Sequence, residues 1–155
     1  MLQAATLKGA LTQLMAVATE FPAKDWAEMI GRYAGMSTPG LLNPAIMSQT
    51  AKTIITPVLA PVLASTHSSP SPFIDALEAS LVTFWTAAIP LAAPATPQVL
   101  ALPTLKAPML AAMTAALATK DSAVAAERVA GALDSWTKTI LYGPVPPAPP
   151  VTPLT

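Results

Sequence analysis

Apolar residues recur at helical spacing along most of this chain, in segments separated by proline-bearing breaks. Residues 2–19 place Leu7, Leu11, Leu14, Met15 and Ala18 on one helical face. Glu20-Phe21-Pro22 interrupts that stripe. A second helix is predicted over residues 24–34, with Trp26, Met29, Ile30 and Tyr33 at i, i+3, i+4 and i+7. Asp25 and Glu28 fall in its first turn, where the helix dipole favours carboxylates, and Gly35 is placed to cap its end.

The middle of the chain is harder to read. Residues 45–56 form a helical pattern with Ile46, Met47, Ile54 and Ile55 apolar, which Pro57 should end or kink because its ring opposes the carbonyl of Thr53. The tandem Pro57-Val-Leu-Ala, Pro61-Val-Leu-Ala reads either as a second short helix or as an extended apolar strap. Residues 65–72 are a loop by composition. Residues 72–86 then carry the stripe Phe73, Leu77, Leu81, Phe84 and Trp85, again with acids, Asp75 and Glu78, in the first turn.

Residues 89–103 hold four prolines and are expected to run extended over the surface in polyproline-like geometry. Leu105, Met109, Met113 and Leu117 resume a helical stripe, with Pro108 admissible only inside a first turn. Asp121 or Ser122 serves as N-cap of a helix over residues 123–140, with Val129, Leu133, Trp136 and Ile140 on its apolar face. The last thirteen residues, 143–155, contain six prolines. Such a segment does not fold on itself and would reach about 40 Å if extended.

The pattern as a whole predicts an all-α fold of about six helices. They form three αα-hairpins (2–35, 46–88 and 105–142) in one domain over residues 1–142, followed by an extended arm over 143–155. Each unit closes near an aromatic: Trp26 and Tyr33, Phe84 and Trp85, Trp136 and Tyr142.

Composition narrows the function. Charged residues are 10% of the chain, against a usual share of roughly 25%, and the eight basic and eight acidic groups cancel. With no basic surplus, nucleic acid is not expected as a partner. A weakly charged, apolar chain is expected to meet other protein over part of its surface. There is no cysteine, so disulfides and thiolate metal sites are excluded. Lys8 sits in the middle of the first apolar run, where a secretory signal would not carry it, so a mature helix is expected there. The uncharged stretch 53–74 includes Pro57, Pro61, Pro70 and Pro72. The stretch 79–105 includes Pro90, Pro94, Pro97 and Pro103. Four prolines leave too many carbonyls without donors in lipid, so a membrane span is disfavoured.

Candidate chemistry is sparse. His67, the only histidine, lies in a Ser/Thr loop, and a triad with Ser68 or Ser69 would need a distant carboxylate. Asp25/Glu28 and Asp75/Glu78 have the spacing of paired carboxylates, but helix capping accounts for both. No phosphate loop, metal-ligand spacing or nucleophile elbow is present, so no catalytic, cofactor or metal site is expected. Each tryptophan is either a core anchor or an interface aromatic. Trp136 fits the core, while Trp26 and Trp85 remain open between the two. The partner-binding candidates are therefore Trp26 and Trp85, with Pro147, Pro150, Val151 and Leu154 of the arm.

Leu133-Asp134-Ser135-Trp136-Thr137-Lys138-Thr139-Ile140 followed by a Pro-rich tail, and Phe84-Trp85-Thr86 leading into Ala87-Ala88-Ile89-Pro90, resemble small virion proteins of tailed bacteriophages. The resemblance implies a structural role in the virion. Other virion proteins are then the partners, and copies assemble as a homo-oligomeric ring or lattice in the neck, tail or baseplate. The alternatives are a capsid-decorating protein and a membrane-associated accessory.

Overall fold

The computed structural model describes residues 4–16, 22–36, 43–91, 98–143, 152–153 and 155. It is an all-α fold of six helices: α1 (Ala4–Ala16), α2 (Pro22–Ala34), α3 (Pro44–Leu63), α4 (Ser71–Ala88), α5 (Lys106–Leu117) and α6 (Ser122–Thr137). Each helix packs on the next in sequence, and α1 closes the circuit by lying along α6. The three expected hairpins are not equivalent. α3–α4 and α5–α6 are close pairs, whereas α1 lies more extensively on α6 than on α2, and the most extensive contact of all joins α2 to α3.

Two glycines explain that α2–α3 contact. A Cβ on Gly31 would stand 2.5 Å from Ser48 Cα, and one on Gly35 would stand 2.6 Å from Pro44 Cα. The spacing of four puts both glycines on one face of α2, so the backbones of α2 and α3 approach as no side chain would allow. Gly35 therefore serves close packing, beyond the capping role expected of it. Glu28 bridges the same pair, taking Arg32 from its own helix and Lys52 Nζ of α3 at 3.1 Å. Contacts of 35 with 44, 31 with 48 and 28 with 52 make the pair antiparallel.

Helix α3 corrects the reading of its prolines. It runs as one helix of 20 residues through Pro57 and Pro61, capped by Asn43, whose Oδ1 accepts the Ala45 N–H at 2.9 Å. Thr53, Pro57 and Pro61 all lie on its exposed side. The carbonyls of Thr53 and Pro57, which the prolines deprive of donors, therefore face water and need no protein partner. Met47, Ala51, Ile55 and Leu59 on the opposite side are fully buried and hold the helix to the bundle.

Helix α4 begins at Ser71, so Asp75 and Glu78 fall beyond its first turn and do not cap it. Asp75 instead pairs with Lys106 Nζ of α5 at 2.6 Å. The stripe Phe73, Leu77, Leu81, Phe84 and Trp85 is buried as expected. Trp26 meets Phe73 with ring centroids 5.2 Å apart, tying α2 to α4. At α6, Asp121 is the N-cap, its Oδ1 accepting from Ala123 N at 2.8 Å and Val124 N at 3.3 Å.

A single turn of 3-10 helix, Ile89–Leu91, follows α4, and a small antiparallel sheet then joins two segments expected to be extended and separate. Strand β1 (Gln98–Ala101) pairs with β2 (Leu141–Gly143), Val99 opposite Tyr142, with a bulge between Val99 and Ala101. Strand β3 (Thr152–Pro153) adds to the other side of β2, with Tyr142 opposite Thr152 and Leu141 opposite Pro153. The end of the proline-rich connector is thus a strand. Part of the C-terminal arm, Thr152–Pro153, is extended and pairs with its own chain. Pro103 follows β1 without interrupting it, and Pro153 sits on an edge strand, where a missing donor is tolerated. Trp136 Nε1 donates to Pro103 O at 2.6 Å, fastening this connector to α6.

Candidate interaction surfaces

The sequence-derived candidates separate into two groups. Trp26 is 7% exposed and Trp85 is 1% exposed, so both are core anchors of this chain and neither is presented at its surface. Pro147, Pro150, Val151 and Leu154 lie outside the described residues. His67 is exposed, and its Nε2 donates to Val62 O at 3.0 Å. Among the described residues, no three His, Cys, Asp or Glu side chains gather as metal ligands would.

One polar cluster lies inside the bundle. Tyr33 Oη of α2 donates to Asp134 Oδ1 of α6 at 2.7 Å, and Lys138 Nζ reaches Asp134 Oδ2 at 2.7 Å. Burial, and then the hydrogen bond to the Asp134 carboxylate, push the Tyr33 phenol well above its ordinary range. It therefore remains a neutral donor. A void of about 10 Å³ beside it, lined by Leu7, Ile30, Leu81, Trp85, Leu133 and Thr137, holds one water at most. The arrangement fastens α2 to α6 and leaves no room for a substrate.

The surface is where this molecule is unusual. The outward side of α3, a helix of 20 residues, carries Ile46, Gln49, Thr53, Pro57, Ala60 and Pro61, all exposed and none charged. The only charged residue of α3, Lys52, is engaged with Glu28. Helix α5 repeats the pattern: Ala107, Ala111, Thr114 and Ala118 point outward, and no charge occurs between Lys106 and Lys120. Leu117, expected on the buried stripe, is 73% exposed, because α5 meets the bundle through Met109 and Ala116 alone among its fully packed residues.

Where the start of α2 meets the end of α3, an open groove of about 370 Å³ is lined by Pro22, Ala23, Lys24, Thr56, Ala60, Leu63 and Ala64. Its walls are apolar and Lys24 stands exposed at its rim. Sequence reasoning missed both the groove and the exposed Leu117. A stripe of alanines is compatible with either a buried or an outward face, and a groove between helix ends has no periodicity of its own.

Ser71–Leu91, helix α4 with the turn after it, is long and apolar enough to cross a membrane by length and composition. Its apolar stripe is already buried by neighbouring helices. No family model, curated protein or solved structure matches this chain.

Proposed function

We propose that this protein is a structural subunit that works by packing against copies of itself and against neighbouring proteins. The observation that carries the reading is the uncharged outward face of α3, together with that of α5. A solvated helix face ordinarily carries charges that keep it monomeric. Here five basic side chains, Lys8, Arg32, Lys52, Lys106 and Lys138, pair with carboxylates of the same chain. The small, uncharged faces left over lose little hydration when they meet protein. Small residues also let helix backbones approach closely.

The setting we propose is the particle of a tailed phage, which rests on the resemblance of the segments around Trp85 and Trp136. Repetition across symmetric copies would multiply modest contacts through effective concentration. Light scattering of the full chain over a range of concentrations tests self-association. Mass spectrometry of purified particles tests the setting. About six to a few dozen copies supports the neck, tail or baseplate, and capsid-like abundance supports the capsid-decorating alternative. Absence from the particle removes the virion setting.

A further inference from the structure

We infer that the proline-rich arm is exchanged between copies, so that β3 of one chain completes the sheet of another by pairing with its β2. The inference rests on the self-association proposed above and names one contact that holds it. The occupant of the outer edge of β2 is visible in the fold itself: Thr152 lies opposite Tyr142 and Pro153 opposite Leu141, antiparallel. A second copy presents the same backbone groups, so the exchanged pairing loses no contact.

Within one chain this pairing requires residues 144–151 to reverse direction and bring Thr152 back within a strand spacing of β2, about 5 Å. The amino acids at those positions oppose a turn. Five of the eight are proline, and every residue from Gly143 to Pro150 either is a proline or precedes one. Proline fixes φ and biases the residue before it toward extended backbone, so the run favours a polyproline-like spacer of about 25 Å. Pairing with another copy spares the reversal. The hold in place is also slight. Strand β3 has two residues, Pro153 brings no N–H to the ladder, and among the described elements only β2 packs extensively against it. No side chain from Gly143 to Thr155 is charged, so the arm lacks the charges that commonly keep strands from joining. Reciprocal exchange closes a dimer, and passing each arm to the next copy gives a ring or a filament.

The chain has no cysteine, so introduced thiols report position. Tyr142→Cys and Thr152→Cys, made singly and together, put thiols on paired residues. The full chains are equilibrated at high concentration, then oxidised or treated with a short bis-maleimide. Mixed single variants should give a covalent dimer that neither gives alone, and the double variant should give interchain products. Replacing the five spacer prolines by glycine lets the arm turn back, at an effective concentration on the order of millimolar. The double variant should then yield mainly an internally linked monomer. Leu141→Cys with Pro153→Cys is the second pair, used if Tyr142→Cys does not fold. Internally linked monomer alone from the native spacer, with oligomers still seen by light scattering, would overturn the exchange and leave self-association standing. Dimers formed as readily by one single variant as by the mixture would mark chance contact and overturn the exchange too. So would the absence of any cross-link from both pairs, since β3 would then not lie on β2. A chain monomeric at every concentration would overturn the exchange and the self-association together.

Discussion

At the scale of single residues, the glycines and one tyrosine make the most exacting demands. Gly31→Ala puts a methyl group against the Ser48 backbone, 2.5 Å from Cα and 2.9 Å from N, where no side chain can move aside. The expected loss is about 1–3 kcal/mol in urea unfolding. Gly131→Ala, in α6 with nothing within 4 Å of the new Cβ, is expected to gain about 0.5–1 kcal/mol. Equal effects at the two sites would contradict the close approach of α2 and α3. Tyr33→Phe leaves Asp134 without one of its donors, at a cost of about 1–3 kcal/mol near neutral pH. Because folding raises the Tyr33 pKa, that contribution is complete below the phenol's ordinary value of 10.0 and is lost as pH rises beyond it. The stability gap between the native chain and Tyr33→Phe should therefore narrow in alkali. A gap that stays constant up to the point of unfolding would argue against a proton held by burial. The sequence placed Tyr33 on an apolar stripe correctly. It gave no sign of Asp134, which lies 101 residues away and joins the cluster only through the α2–α6 contact.

At the scale of elements, helix boundaries depended on how much each proline mattered. Pro108 was legible because a first turn needs no donor there, and α5 begins at Lys106 accordingly. Pro57 and Pro61 were not, because whether a helix survives a proline depends on which side of it faces water. Pro57→Ala should restore one backbone hydrogen bond in α3 and raise stability by about 1–2 kcal/mol, less than a buried site would give. A loss on this substitution, measured by thermal unfolding, would mean the kink itself is needed for packing. Between elements, Glu28 joins α2 to α3, and hydrogen bonds from Lys52 and then Arg32 hold its carboxyl below the usual carboxylate range. A lowered pKa contributes stability above the unfolded value, near 4.5, and loses it as pH falls through the folded one. The difference between the native chain and Glu28→Gln should accordingly shrink in acid below that value. A difference that grows there would reverse the assignment.

At the scale of the whole molecule, the first and last helices close the bundle, with Lys8 of α1 meeting Glu127 of α6 at 2.8 Å. The small sheet lies outside that circuit. Removing residues 144–155 takes away β3 and leaves β2 paired with β1 alone, while the helix–helix contacts among the described residues all lie before residue 144. The truncated chain should retain its helical circular dichroism, and a substantial loss would show that the arm supports the core. What the sequence determined by itself was the number of helices, their apolar stripes at Trp26, Leu77, Leu81 and Leu133, and a cap at Asp121 or Ser122, of which the structure uses Asp121. These follow from periodicity and local hydrogen bonding, which act over a few residues. Only the tertiary structure decided that α1 closes on α6, that Gly31 and Gly35 bring α2 against α3, and that the connector and the arm meet in a sheet. It also decided that Trp26 and Trp85 are core while Leu117 is surface. The reason is physical: an apolar stripe records that a face is buried but not what buries it. In a chain whose helices are rich in alanine, many pairings bury similar area, and close backbone contact selects among them.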